Sequence, residues 1–382
     1  MKKKLMTLQQ HRLLKEAGQL IAFSERLKHA QKETTDRNWK EREEQRRRSA
    51  KAASTVTALS GDIEEFLTSR YDFRYNLLTD ETEFRPAGQR SAAFTPVGKR
   101  ELNTFCIEAH AEGIPCWDKD LNRYVYSTYI PAYHPFLLYM DELPDWEDGK
   151  DRLTALACRV SSRPHWVRGF HTWMLGLASQ WMGVSGLHAN SVAPVLVSRE
   201  QGRRKSSFCR ALMPDVLTRY YADNLKLTSQ GQAERMLAEM GLLNMDEFDK
   251  YADNKMPLLK NLMQMSVLNI RKAYQQNFRQ LPRIASFIGT SNRFDLLTDP
   301  TGSRRFLCIE VKHNIDCIGI EHDQIFAQLK AELIAGRRNW FTKPEEEELQ
   351  WHNEAFYRVS LWWRRQFTAC FVPRFRQRRA SI

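Results

Sequence analysis

No Cys-x-x-Cys pair occurs among the seven cysteines (Cys106, Cys116, Cys158, Cys209, Cys308, Cys317 and Cys370), and the ten histidines form no His-Glu-x-x-His or Cys/His cluster. Nothing in this spacing suggests a zinc site or a disulfide framework. No apolar run approaches the length of a membrane span. The basic start MKKKLMT is followed by Gln9, Gln10, His11 and Arg12 where a secretory signal would need an apolar core. A cytoplasmic protein is therefore expected. Proline is missing from residues 5–55, and acidic residues are missing from 358–382.

Those two absences mark the ends of the chain. Of the formal charge of +12, residues 1–52 hold 15 Lys and Arg against 7 Asp and Glu, and residues 358–382 hold 7 Arg, so the middle is close to neutral and slightly acidic. A basic run binds phosphate without needing a sequence, so the ends read either as solvated segments or as nucleic-acid-contacting arms. With 382 residues and 42% hydrophobic content, the chain is long enough for two or three cores. We divide it into a basic helical arm (1–60), a small α/β module (61–145), a larger α/β unit (146–340) and a C-terminal helix with a basic tail (341–382). In the module, residues 63–67 read as a short helix, 71–85 as a hairpin and 98–111 as a second helix, with aromatic strands around Tyr124, Tyr126 and Tyr129. Its aromatics, with Phe73 and Tyr75 among them, suit a core more readily than a base-stacking platform. The larger unit opens with a helical lead-in at 150–190, whose Trp166, Trp173 and Trp181 recur at helical spacing, as packing residues do. Its core spans 191–315.

That core is organised around VLVSREQGRRKSSFC at 195–209: an apolar strand, a polar turn, then a helix. A triphosphate needs inward backbone N–H groups, a helix start behind them, and a Lys followed by a hydroxyl. Gln201, Gly202, Arg203, Arg204, Lys205, Ser206 and Ser207 supply such a loop, with Lys205 for the phosphates of ATP and Ser206 for Mg2+. Ser198, Arg199 and Arg204 stand where glycines are usual. A Cβ at Arg204 resists a positive φ, so nucleotide binding without hydrolysis is a second reading of the loop. Further on, GLLNMDEFD at 241–249 is a short apolar strand ending in acids, with Asp246 to hold the metal through its water and Glu247 to polarise the attacking water. RIASFIGTSN at 283–292 is another apolar strand, and its final Asn292 is placed to sense a γ-phosphate. DPTGSRRFLCIEV at 299–311 gives a turn, the pair Arg304 and Arg305, and a last strand, and either guanidinium suits the phosphate of a neighbouring subunit.

This succession, above all FIGTSNRFDLLTDPTGSRRF, resembles the virulence-associated E family, P-loop ATPases similar to superfamily-3 helicases of phages, plasmids and integrated elements. The resemblance covers roughly residues 150–340. It implies a P-loop three-layer α/β core, a mostly parallel sheet between helices. It also implies the same roles for Lys205, Ser206, Asp246, Glu247 and Asn292, with Arg304 or Arg305 as the finger, and a homo-oligomeric ring acting on single-stranded or forked DNA. In similar helicases the segment before the sensor strand forms a hairpin or loop facing the central channel. Arg271, Lys272, Arg279 and Arg283, interleaved with Tyr274 and Phe278, are the corresponding DNA-binding candidates, although a solvated turn is an equal reading. The expected function is ATP-dependent, helicase-like action in replication of a mobile genetic element. The alternative is a non-hydrolysing, nucleotide-responsive DNA- or partner-binding protein. The residues before the ATPase hold no metal-binding acid constellation of the kind primer synthesis needs.

Overall fold

The computed structural model describes residues 55–146, 149–186, 188–225, 227, 230–251, 253–271, 278–298 and 303–358. The basic arm up to residue 54 and the tail beyond residue 358 lie outside the described residues. Contacts divide the chain into two units, Met1–Glu142 and Leu143–Ile382.

In the first unit, α1 (Thr55–Arg70) runs straight into a hairpin of β1 (Tyr71–Asn76) and β2 (Glu81–Pro86). Alternation sends Phe73 and Phe84, which are cross-strand partners, to one face. There α2 (Lys99–Ala111) inserts Phe105, whose ring lies 5.9 Å and 5.1 Å from theirs. The short strands β3 (Thr95–Pro96) and β4 (Ala132–Tyr133) extend the sheet to the order β3-β2-β1-β4. The aromatic strands expected around Tyr124 are instead a helix, α3 (Asp118–Val125). Asp120 accepts from the Trp117 N–H to set its start, and Leu121 and Val125, four residues apart, are fully buried. Helical spacing of apolar residues prevailed here over the strand propensity of tyrosine. Phe73 is core, whereas Tyr126 and Tyr129 are more than half exposed; α4 (Pro135–Glu142) closes the unit.

The second unit is a five-stranded parallel sheet flanked by helices. Its strands are β5 (Ala193–Val197), β6 (Tyr221–Asp223), β7 (Leu242–Met245), β10 (Ser286–Ser291) and β11 (Phe306–Glu310). Their order across the sheet is β11-β5-β10-β7-β6. Every residue of β5, β7 and β10 is buried, as covering both faces of a parallel sheet requires. Helices α5 (Arg152–Cys158) and α6 (Pro164–Trp181) form the lead-in, and Trp166, Trp173 and Trp181 of α6 are all fully buried. Glycine at 169 lets α6 approach β11 closely, since a Cβ there would stand 2.8 Å from a methyl of Leu307. Helix α7 (Lys205–Ala211) follows β5, α8 (Gln230–Glu239) precedes β7, and α9 (Met256–Gln264) follows it. An antiparallel hairpin of β8 (Val267–Arg271) and β9 (Phe278–Pro282) stands outside the main sheet. After β11 come α10 (His322–Ile334) and α11 (Lys343–His352), the latter opened by a Thr342–Glu345 capping box with Pro344 in its first turn.

Candidate functional site

Strand order fixes where a site can lie. After β5 the chain leaves for the far edge at β6 and returns through β7 and β10, so the direction of winding reverses beside β5. The carboxyl end of β5, flanked by β10, is the switch point at which open α/β sheets leave a crevice for ligands.

Register then decides which side chains meet there. Ser291 pairs with Val197 and Gly289 with Met245. One residue further on, Asn292 therefore stands level with Ser198, and Thr290 level with Asp246. The hydrogen bonds follow that geometry. Lys205 Nζ donates to Ser198 Oγ at 2.6 Å and to Asn292 Oδ1 at 2.9 Å. Ser206 Oγ donates to Asp246 Oδ1 at 2.9 Å, and Thr290 Oγ1 donates to the same oxygen. The next acid, Asp249, accepts from Ser291 Oγ at 2.7 Å. Three strand ends and the first turn of α7 thus form one connected polar cluster.

Its electrostatics are unbalanced in one place. Lys205 is only 7% exposed, and the two atoms its ammonium meets are neutral oxygens. Burial lowers its pKa, opposed by the nearby carboxylates of Asp246 and Asp249 and by Cys209. An ammonium so placed gains from an arriving anion. Ser206 and Asp246 together offer the hydroxyl and carboxylate oxygens that suit magnesium.

Two of the four non-glycine residues with positive φ among the described residues flank this cluster. Arg204, immediately before α7, has φ 59° and ψ 28°, and Glu247 has φ 51° and ψ 51°. The Cβ of Arg204 does not prevent the loop from adopting the left-handed turn, at a cost of about 1–2 kcal/mol. Gly202 takes φ 79° without that cost. Gln201, Gly202, Arg204 and Ser207 are exposed along the loop, while the Arg203 guanidinium is paired with Glu200. The Glu247 carboxylate pairs with Lys250 at 2.6 Å, an exposed contact of the kind that costs little to release.

Arg304 and Arg305 lie elsewhere. They form a 3-10 turn directly before β11, and Phe306 at its start pairs with Ala193 at the start of β5. The length of the sheet separates them from Lys205. Arg304 donates to Glu346 of α11 at 3.1 Å.

Arg283 corrects the sequence reading. Expected to touch DNA, it is 1% exposed and donates to three backbone carbonyls: Leu262 (3.0 Å) and Met263 (2.6 Å) at the end of α9, and Asn190 (2.6 Å). A guanidinium satisfies terminal helix carbonyls well, and burial pushes its pKa down. Arg283→Met should cost about 3 kcal/mol or more, because buried acceptors lose a charged donor. A chemical denaturation midpoint unchanged from wild type would contradict this role. Of the other DNA candidates, Lys272 lies outside the described residues, and Arg271 and Arg279 are described only in backbone, flanking Ile270 and Phe278 in the β8–β9 hairpin.

Sequence reasoning missed Ser198 and Thr290. Ser198 looked only like a departure from a glycine pattern, and Thr290 like strand filling. Their roles come from pairing between strands distant in sequence.

Residues 140–358 match the family model for the virulence-associated protein E-like domain. Among solved structures, the chain is similar to the apo structure of the NrS-1 C-terminal region, at 12% identity over 77% of this chain and 74% of that one, with a TM-score of 0.45. It is similar also to an A-form apo structure of that region, at 14% identity over 77% and 74%, with a TM-score of 0.43. A search of the curated proteins returns no match.

Proposed function

The chain belongs to the virulence-associated protein E-like family, and from that premise we propose that it binds ATP with Mg2+ at the carboxyl end of β5 and hydrolyses it to act on DNA during replication of a mobile element. The observation that carries this reading is the paired arrangement of Lys205 with Ser198 and Asn292, and of Ser206 with Asp246 and Thr290. Lys205 would take the β- and γ-phosphate oxygens, exchanging two neutral acceptors for charged ones. Ser206 and Asp246 would hold magnesium, which when bound neutralises charge developing on the phosphoryl oxygens. Asn292 already shares its oxygen with the Lys205 ammonium, so an occupied phosphate position would be felt at its amide. Glu247 follows Asp246 at the strand end, and a carboxylate there can orient and polarise water once Lys250 lets go.

Glu247→Gln tests the catalytic half of this reading. Turnover with magnesium should fall by about 10²–10⁴, whereas ATP binding should persist because the residue is not placed on the phosphates. If single-stranded DNA raises turnover in the wild type and the effect vanishes in the variant, the protein is a DNA-dependent ATPase. If the wild type binds ATP and never turns it over, the chain is instead a nucleotide-responsive binding protein.

A further inference from the structure

The first unit brings together three side chains that no spacing motif connects. Cys106 and His110 lie four residues apart on α2, so both project from one face of the helix. Beyond the helix the chain turns back through Gly113, whose φ of 81° suits only glycine, and returns Cys116 to that face. Cys106 Sγ is 3.8 Å from His110 Nε2 and 3.6 Å from the Cys116 carbonyl oxygen, and one ligand atom from each of the three residues falls within 4.8 Å of the others. Cys116 is 1% exposed, Cys106 half-buried and His110 open to solvent.

We propose that Cys106, His110 and Cys116 form a site for a thiophilic divalent cation, zinc by preference, with its fourth position open to water. The separations suit such an ion. Zinc–sulfur bonds of about 2.3 Å and zinc–nitrogen bonds of about 2.0 Å at tetrahedral angles place the ligand atoms roughly 3.5–3.8 Å apart. Two sulfurs and an imidazole favour zinc over magnesium or calcium, which prefer oxygen. In the metal-free arrangement His110 Nε2 lies 2.6 Å from the Cys116 carbonyl oxygen, so Nε2–H is the donor. Ligation would move that proton to Nδ1, freeing the Nε2 lone pair, and the two thiols would release one proton each. The bound ion would then tie the end of α2 to the loop that leads into α3. The expectation of no Cys/His cluster fails because half of this one lies at helical spacing and the other half arrives through a turn.

The test uses the full chain, reduced, stripped with a chelator and titrated with Co2+. One cobalt per chain should bind with thiolate-to-cobalt charge-transfer absorption and be displaced by Zn2+. Cobalt at a magnesium site of oxygen ligands gives no such band, so the proposed nucleotide site does not interfere. His110→Ala, at an exposed position, should weaken binding by at least about 10- to 100-fold, and His110→Cys should restore it. Cys106→Ser should diminish the charge-transfer band. Circular dichroism would check that each variant is folded. An absent band, or one unchanged in both Cys106→Ser and His110→Ala, overturns the site. So does a Cys106–Cys116 disulfide that forms in the presence of excess zinc, seen as two thiols still missing when the chain is denatured and the metal removed by chelator before titration.

Discussion

Lys205→Ala should lower ATP turnover by about 10²–10³, the loss typical of removing one preorganised donor aimed at developing charge. The effect follows from its burial. Lys205 is held 7% exposed between Ser198 and Asn292, so its charge is partly stripped of water before any nucleotide arrives. Interactions with phosphate in such surroundings exceed those a surface lysine makes. Alanine also leaves two acceptors short of a donor, so some loss of stability, about 1–3 kcal/mol, should accompany the loss of rate. The two effects separate experimentally. A thermal melt reports the second, and phosphate release at saturating ATP, measured well below the melting transition, reports the first. Retention of full hydrolysis would remove Lys205 from the nucleotide site. Salt-sensitive DNA binding through the basic ends should survive the substitution in either case.

The second large effect concerns Arg304 and Arg305. If a neighbouring subunit completes the proposed nucleotide site, alanine at whichever of the two is the finger should reduce turnover by about 10³–10⁵, although both stand at the opposite end of the sheet from their own chain's Lys205. Five residues of β11 lie between this pair and the carboxyl edge of the sheet, about 15 Å of strand. On the proposed reading, a nucleotide phosphate they touch would belong to another subunit. Mixing therefore makes the prediction sharp. Lys205→Ala subunits retain the arginines, and Arg304→Ala or Arg305→Ala subunits retain the loop. Combining two inactive preparations should restore measurable hydrolysis where one subunit's arginine faces the other's intact loop. Mixtures as inactive as their components, under conditions where the wild type is both oligomeric and active, would mean that no site is completed in trans. Arg304 already donates to Glu346, so Glu346→Ala offers a control that frees the guanidinium without removing it.

Most of the sheet was legible from the sequence, for a physical reason. Strands covered on both faces are continuous apolar runs, and β5, β7, β10 and β11 read that way. The strand β6 did not, because YAD is three half-buried residues at an edge. That Lys205, Ser206, Asp246 and Asn292 come together was legible because Asp246 and Asn292 directly follow such runs, and Lys205 and Ser206 begin the helix after the polar turn that ends another. Ser198 and Thr290 were not, since the chemistry of a hydroxyl beside an ammonium or a carboxylate is set by register, and register leaves no linear trace. Arg283 was misread because a count of basic residues carries no information about burial. Its neighbours in sequence are apolar on both sides, a signal of burial that the search for basic residues among aromatics passed over.

The pairing of β5 with β11 has a mechanical consequence. It holds five consecutive rungs, from Ala193 opposite Phe306 to Val197 opposite Glu310. The trailing end of one strand carries the loop with Lys205, and the leading end of the other carries Arg304 and Arg305. A slip of one rung would turn every side chain of a strand to the wrong face, so the register of the pair is strongly specified and the spacing of its two ends with it. The loop with Lys205 and the turn with Arg304 and Arg305 therefore face opposite edges of the sheet, held a strand's length apart.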